Sequence, residues 1–98
     1  MKKLLAALLM LPSLALAESW SIPNKNGGEI VITDRPCVVR GKNYENLREA
    51  YSHWNGGFME GCWTITDGMA RIVWLTGDGE VRLYELANFK QKQGGKKN

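Results

Sequence analysis

Residues 58–75 have the sequence FMEGCWTITDGMARIVWL, which consists of two strand-forming runs separated by the dipeptide Asp67-Gly68. Asp-Gly between alternating hydrophobic residues is one of the strongest short-range hairpin signals, because both turn positions need a positive φ. A second turn, Gly77-Asp78-Gly79, follows. We expect strands over Phe58–Thr66, Ala70–Leu75 and Glu80–Leu86. Three strands joined by tight turns predict an antiparallel meander.

The segment before the meander has the period of a helix. Tyr44, Leu47, Ala50, Tyr51 and Trp54 are spaced so that they form one stripe along about three helical turns. Asn43 suits the N-cap position, and Gly56-Gly57 is a typical stop signal. The pattern predicts a helix over Asn43–Trp54.

A first hairpin is predicted near the start of the domain. Ser19–Ile22 and Glu29–Thr33 have strand patterns and are separated by the turn-forming residues 23–28. Asp34-Arg35-Pro36 is expected to end the second strand, and Cys37–Val39 to form a short extended piece. The predicted order is β-β-α-β-β-β. We therefore expect an α+β fold, a bent antiparallel sheet of four or five strands with the helix on one face or across one end.

The first 17 residues match a secretory signal peptide. Lys2 and Lys3 precede the apolar run Leu4–Leu11, and Ala15-Leu16-Ala17 has the small residues that signal peptidase requires. The stretch 4–17 is shorter than the roughly 20 residues that span a bilayer, so we expect cleavage after Ala17 and no stable membrane anchor. The product would be periplasmic or secreted, with a single β-rich domain over residues 18–89.

Cys37 and Cys62 are the two cysteines of the chain. An even number of cysteines in an exported protein predicts a disulfide. A metal site or a nucleophilic thiol is the alternative. However, a single histidine, His53, and no Cys-x-x-Cys pair fall short of a zinc set. We expect a disulfide that pins the first hairpin to the meander, no metal and no cofactor.

The positive charge of the chain is concentrated outside the predicted domain. The 13 Lys and Arg residues outnumber the 10 Asp and Glu residues, but Lys2 and Lys3 belong to the leader and four lysines lie in residues 90–98. Within residues 18–89, seven basic residues face ten acidic ones. Nucleic-acid binding, which requires a basic surface, is therefore not expected. Residues 90–98 contain no apolar side chain and are predicted to form a disordered basic tail, with contact to anionic lipid as an alternative role.

The aromatic residues are the most suggestive feature for function. Four Trp, three Tyr and two Phe are many for so short a chain. We expect one face of the meander to form the core, and the favoured interpretation is that all four tryptophans belong to the core or to a half-buried scaffold. The alternative is that the other face exposes a Trp or Tyr beside an arginine, the composition of binding hot spots. The candidate binding residues are then Trp63, Arg71, Trp74, Arg82 and Tyr84.

Several short motifs together resemble a known group of proteins. They are Thr33-Asp-Arg-Pro-Cys37, Gly61-Cys-Trp63, Asp67-Gly68 and the series Trp74, Asp78-Gly79, Tyr84. This combination resembles small exported hypothetical proteins of tailed bacteriophages, prophages and some proteobacteria. The resemblance implies an exported product of a phage or bacterium and transfers no catalytic residue.

These observations favour a binding protein over an enzyme. We expect an exported interaction module that binds an envelope protein, in the phage interpretation as an inhibitor or exclusion factor. One alternative is a module that binds envelope glycan through tryptophan stacking. The other is a small peptidoglycan-acting hydrolase that uses Glu60 with Asp67 or His53. No catalytic motif at a recognisable spacing supports that activity, so we expect no enzyme.

Overall fold

The computed structural model describes residues 18–77 and 79–92, which form one antiparallel sheet of seven strands. The strands are β1 (Ser19–Pro23), β2 (Glu29–Val39), β3 (Lys42–Trp54), β4 (Gly57–Thr66), β5 (Met69–Trp74), β6 (Val81–Glu85) and β7 (Lys90–Gln91), and a short 3₁₀ turn covers Leu86–Asn88. Their spatial order is β6-β5-β4-β3-β2-β1-β7. The predicted leader, Asp78 and residues 93–98 of the predicted tail lie outside the described residues.

The predicted meander and first hairpin are confirmed. β4, β5 and β6 pair in sequence, and β1 pairs with β2 from Ser19↔Thr33 to Pro23↔Glu29. Asp67 and Gly68 have φ values of 52° and 77°. Two positive values identify the type I′ turn that the Asp-Gly dipeptide predicts.

The predicted α+β fold is wrong, because residues 43–54 form most of β3 instead of a helix. β3 lies inside the sheet and pairs with β2 on one side and β4 on the other. A helix here would leave the facing edges of both neighbours without partners, and unpaired backbone groups are strongly disfavoured in a folded interior. Pairing with distant residues therefore overrides the local helical period.

A search of residues 18–77 and 79–92 for a helix with the length and hydropathy of a membrane span finds none.

A bulge explains how a helix-like pattern fits a strand. Pro36 pairs with Arg48 while the next residue, Cys37, pairs with Tyr44, so residues 45–47 have no partner in β2. Asn46, inside this gap, has a φ of 68°. A second irregularity lies between Ile32 and Pro36, so the predicted strand end at residues 34–36 is a bulge within β2. Bulges bend a strand and change which face its side chains reach.

The two faces of the sheet carry separate apolar clusters. The larger cluster contains Ile30, Ile32, Ala50, Trp63, Ala70, Ile72, Trp74 and Phe89. The smaller contains Cys37, Val39 and Cys62, with Tyr44, Leu47 and Leu75 packed against it. Cys62 and Trp63 are consecutive in β4 and point to opposite faces, as the pleat requires.

The sheet is strongly curled around the larger cluster. β1 and β6 are five strand positions apart and would lie about 24 Å from each other in a flat sheet. Trp20 of β1 and Tyr84 of β6 nevertheless pack against the same cluster. The short connection 86–89 carries the chain from β6 to β7 at the other end of the strand order. The face with the larger cluster is therefore concave.

The C-terminal segment completes this arrangement. Phe89 is buried in the core and meets the ring of Tyr84 edge-on, with 6.4 Å between ring centroids. Lys90 and Gln91, which the sequence analysis assigns to the disordered tail, form β7 and pair with Ser21 and Trp20. The Lys92 N–H then donates to the Ser19 carbonyl oxygen at 2.8 Å. The ordered chain thus continues past Phe89.

The predicted disulfide between Cys37 and Cys62 is confirmed, with 5.6 Å between the two Cα atoms. Both half-cystines are fully buried on the convex face. The disulfide links the C-terminal end of β2 to the middle of β4, and β3 lies in the loop that the disulfide closes. It therefore holds the bulged end of the β2–β3 hairpin against the convex face.

Removing the disulfide is expected to lower stability substantially. The double substitution Cys37→Ala and Cys62→Ala should reduce the free energy of unfolding by about 3–4 kcal/mol, because the unfolded chain regains the entropy of the open loop. Urea denaturation followed by tryptophan fluorescence measures this change. Reduction of the unmodified protein is the matched control and should give a similar loss. An unchanged denaturation midpoint in both samples would contradict a stabilising role.

Candidate functional site

A cavity of about 510 Å³ opens at one end of the concave face. It lies where the β1–β2 turn, the end of β3 and the strands β5 and β6 approach one another. Its apolar walls are formed by Ile22, Ile30, Trp54, Met59, Trp74 and Tyr84. The polar lining residues are Asn24, Lys25, Asn26 and Arg82 near the rim and the buried Ser52. Because the walls come from six strands, β1 to β6, this cavity exists only in the curled sheet.

Aromatic rings dominate the walls. Trp74 is almost fully buried, with 3% of its surface exposed, and forms the floor, whereas Trp54 and Tyr84 are half-buried. A Cβ atom added to Gly57 would lie 2.2 Å from the indole of Trp54, so only glycine leaves room for this ring. Trp54 is a member of neither apolar cluster. Its indole is therefore available to a ligand without being needed by the core.

The β1–β2 turn that forms the rim is held by one side chain. The Asn24 Nδ2 group donates to the Ser52 hydroxyl at 3.0 Å and to the His53 carbonyl oxygen at 3.1 Å. The Oδ1 atom of Asn24 accepts from the backbone N–H groups of Asn26 at 2.9 Å and Gly28 at 2.8 Å. A local asparagine network of this kind is typical of ordered turns. It fixes Lys25 and Asn26 at the mouth of the cavity.

The charged side chains that line the cavity, among the described residues, are both cationic. They are Lys25 on the rim and Arg82 on β6, and Arg82 forms an ion pair with Glu80. Because the Glu80 carboxylate offsets the charge of Arg82, Lys25 is the cation that the mouth offers to a ligand. It favours a ligand that carries a carboxylate or another anionic group.

The structure brings together three of the five binding residues that the sequence suggests. Trp74, Arg82 and Tyr84 line the cavity, because residues 82 and 84 share one face of β6. Trp63 is buried elsewhere in the core, and its indole N–H donates to the Thr33 carbonyl oxygen at 2.8 Å. Arg71 lies between the buried residues of β5 and points to the convex face.

The residues that sequence analysis missed are Trp54 and the β1–β2 turn. The sequence pattern places Trp54 in the predicted helix, and the turn lies about 30 residues before the meander along the chain. Residues 24–28 contain a weak signal, since asparagines followed by a glycine pair are typical of an ordered turn. No sequence pattern indicated that this turn meets β5 and β6.

The carboxylates considered for hydrolysis do not form a pair. Glu60 and Asp67 are separated by seven residues along β4 and its turn, or about 20 Å. Glycosidases need two carboxyl groups within about 10 Å of each other. His53 lies beside Glu29 instead, with 3.1 Å between its Nε2 and a carboxylate oxygen. Within residues 18–77 and 79–92 there is no cluster of three or more His, Cys, Asp and Glu residues able to hold a metal ion.

An ionic cluster on the outside of the sheet joins β2 and β3 to Lys92, the residue that follows β7. The Oε2 atom of Glu29 in β2 accepts from Lys92 Nζ at 2.6 Å and contacts His53 of β3. The hydrogen bond from Lys92 lowers the pKa of the Glu29 carboxyl, burial opposes this change, and the contact with His53 lowers the pKa further. A second cavity of about 550 Å³ borders this cluster, but no Trp, Tyr or Phe lines it. The cluster therefore stabilises the attachment of β7, and the aromatic cavity is the better binding site.

The Glu29 cluster predicts a pH-dependent contribution to stability. Because the pKa of Glu29 is lowered on folding, its contribution is complete above about pH 4.5 and is lost as the pH falls through the lower folded value. Glu29→Gln should therefore reduce the free energy of unfolding at neutral pH, and the difference from the unmodified protein should shrink in more acidic solution. Urea denaturation at a series of pH values from neutral to strongly acidic measures this difference. Glu45→Gln, at an exposed position of β3, is the control and should show little difference at any pH. A Glu29→Gln difference that persists in strong acid would contradict the assignment.

Comparison with known proteins adds no information on the role of this cavity. No protein-family model, no curated protein and no solved structure matches the chain. The resemblance to small exported phage and bacterial proteins therefore stays a prediction, and the function has to be argued from the cavity and its surroundings.

Proposed function

We propose that this chain is an exported binding protein that takes a segment of an envelope protein into the aromatic cavity. The observation that carries this proposal is a concave site of about 510 Å³ walled by Trp54, Trp74 and Tyr84 and bordered by Arg82. Binding sites are typically concave and mainly apolar, with a few polar groups at the rim. Trp, Tyr and Arg are also the residues most often found at binding hot spots.

The rigidity of the site supports the same function. The paired strands and the Asn24 network hold the cavity walls before any ligand arrives. A preorganised site loses less conformational entropy on binding than a flexible one. The disulfide is compatible with an oxidising compartment, and the sequence of residues 1–17 favours export. In the phage interpretation, such a protein acts as an inhibitor or exclusion factor of the envelope.

Binding of an envelope glycan is the second candidate. It is favoured by the half-buried rings of Trp54 and Tyr84, which lie near the polar side chain of Asn26 at the rim. Aromatic rings with a polar edge nearby suit ligands that have both apolar and hydroxyl-bearing faces. The charge of Lys25 does not separate the two candidates, since it would equally suit an acidic peptide.

Substitution of Trp54 is the direct test of the cavity. The disulfide-bonded exported protein serves as bait for a crosslinked envelope extract, and Trp54→Ala should lower recovery of the bound protein about tenfold, the order expected for losing one hot-spot side chain. Phe58→Ala is the matched control, because Phe58 is an exposed aromatic residue near the same end of the sheet but on the convex face. Mass spectrometry with isotope-labelled standards measures the recovery from each bait.

The outcomes of this experiment separate the two candidates. Enrichment of one envelope protein by the unmodified bait and by Phe58→Ala, with loss in Trp54→Ala, supports the proposed function. Recovery of peptidoglycan or lipopolysaccharide in the same pattern would move the assignment to glycan binding. Equal recovery by all three baits would show that the cavity is not the binding site. Urea denaturation of each variant establishes that it is folded.

A further inference from the structure

β6 is the last strand on its side of the sheet and lies directly beside the aromatic cavity. It pairs with β5 through the register Ile72↔Arg82 and Ala70↔Tyr84 and ends the strand order of the described sheet. Arg82 and Tyr84 line the cavity from this strand. A chain that enters the cavity therefore passes along the outer edge of β6.

The backbone groups that face this edge follow from the hydrogen-bond pattern. The Trp74 N–H donates to the Glu80 carbonyl oxygen at 2.9 Å, and the Leu86 N–H donates to the Gly68 carbonyl oxygen at 3.4 Å. Hydrogen-bonded pairs alternate along an antiparallel ladder, so the even-numbered residues of β6 direct their backbone groups towards β5. The N–H and C=O groups of Val81, Leu83 and Glu85 therefore point outward.

The side chains at this edge make it attractive to another strand. Val81 and Leu83 are 48% and 56% exposed on the convex face. Proteins usually protect edge strands with charged residues, prolines or bulges, because an exposed apolar edge invites pairing. A strand laid along β6 would cover Val81 and Leu83 on one side and place alternate side chains in the cavity on the other.

The residues at the mouth of the cavity indicate the composition of the added strand. Lys25 lies at the mouth, and the charge of Arg82 is offset by its ion pair with Glu80. A segment with a carboxylate is complementary to Lys25, whereas a second copy of β6 would place the charged side chain of Arg82 against the apolar walls. The C-terminal residues 93–98 of the chain contain no apolar side chain to fill the cavity. The complementary occupant is an extended apolar segment of another protein, flanked by acidic residues.

We infer that the partner binds by adding an extended segment to β6 as a further antiparallel strand. This inference rests on the proposed function and specifies its mode. The outward N–H and C=O groups of Val81, Leu83 and Glu85 bond to the backbone of the segment. An apolar side chain of the segment fills the cavity against Trp54 and Tyr84, and a carboxylate lies near Lys25. Main-chain bonds supply affinity in this mode of recognition, and the pocket supplies selectivity.

A synthetic peptide tests this mode without knowledge of the partner. The probe is a decapeptide of alternating Val and Thr that ends in Asp-Asp, and the control probe carries N-methyl groups on alternate residues, which remove its ability to pair. Titration is followed by the fluorescence of the protein, since Trp54 and Trp74 line the cavity. We expect saturable binding that weakens about tenfold on N-methylation, the order expected for the loss of main-chain hydrogen bonds.

A backbone variant of the protein completes the test. Leu83→Pro removes one outward N–H and leaves the hydrogen bonds between β5 and β6 in place, since proline is tolerated on edge strands. It should weaken peptide binding and partner capture about tenfold. Leu83→Thr removes the apolar side chain but keeps the N–H, and should weaken binding less than Leu83→Pro does. Equal urea denaturation of the two variants establishes that both are folded.

The outcomes test strand addition to β6 separately from the proposed binding function. Equal binding of both peptides would overturn strand addition. Capture of the partner that is lost in Trp54→Ala but unchanged in Leu83→Pro would also overturn strand addition. Either result would leave the proposed binding function intact. Absence of peptide binding together with absence of any capture would overturn both. A dimer of the protein alone that dissociates in Leu83→Pro, seen by size-exclusion chromatography with light scattering, would assign the edge to a second copy and overturn the inference.

Discussion

The structure depends on the curl of one sheet around its own concave face. A sheet has an apolar face that must be covered by a second layer, usually a helix or another sheet. Within residues 18–77 and 79–92 neither is present, so strands from the two ends of the sheet approach each other and enclose the larger cluster. The four-residue connection that carries Phe89 holds these ends together, because it is too short to span a flat sheet.

The convex face is covered by the disulfide-linked end of the β2–β3 hairpin. The bulges in β2 and β3 bend the end of their hairpin, and the disulfide between Cys37 and Cys62 fixes it against β4. Tyr44 and Leu47 then pack around the bridge. A chain this short has little apolar surface to bury, so a covalent link on the second face replaces the packing that a larger domain would supply.

The aromatic cavity is a consequence of the same curl. At one end of the concave face, Phe89 fills the space between the end strands, whereas the other end stays open between the β1–β2 turn and β6. Trp74 contributes both to the core and to the cavity floor, which couples the binding site to the packing of the larger cluster. The edge of β6 borders this opening, so the cavity and the edge form one continuous surface for an extended ligand.

Features that depend on neighbouring residues could be predicted from the sequence: the Asp67-Gly68 turn, the meander around it, the first hairpin and the residues that form the disulfide. Turn geometry and strand alternation are local properties, and two cysteines allow a single pairing. The strand over residues 43–54 depends instead on long-range pairing, because β2 and β4 supply hydrogen-bond partners on both sides that the local period does not reveal. Long-range packing also places Trp63 in the core and Trp54 at the cavity, since burial depends on which distant strands the curl brings together.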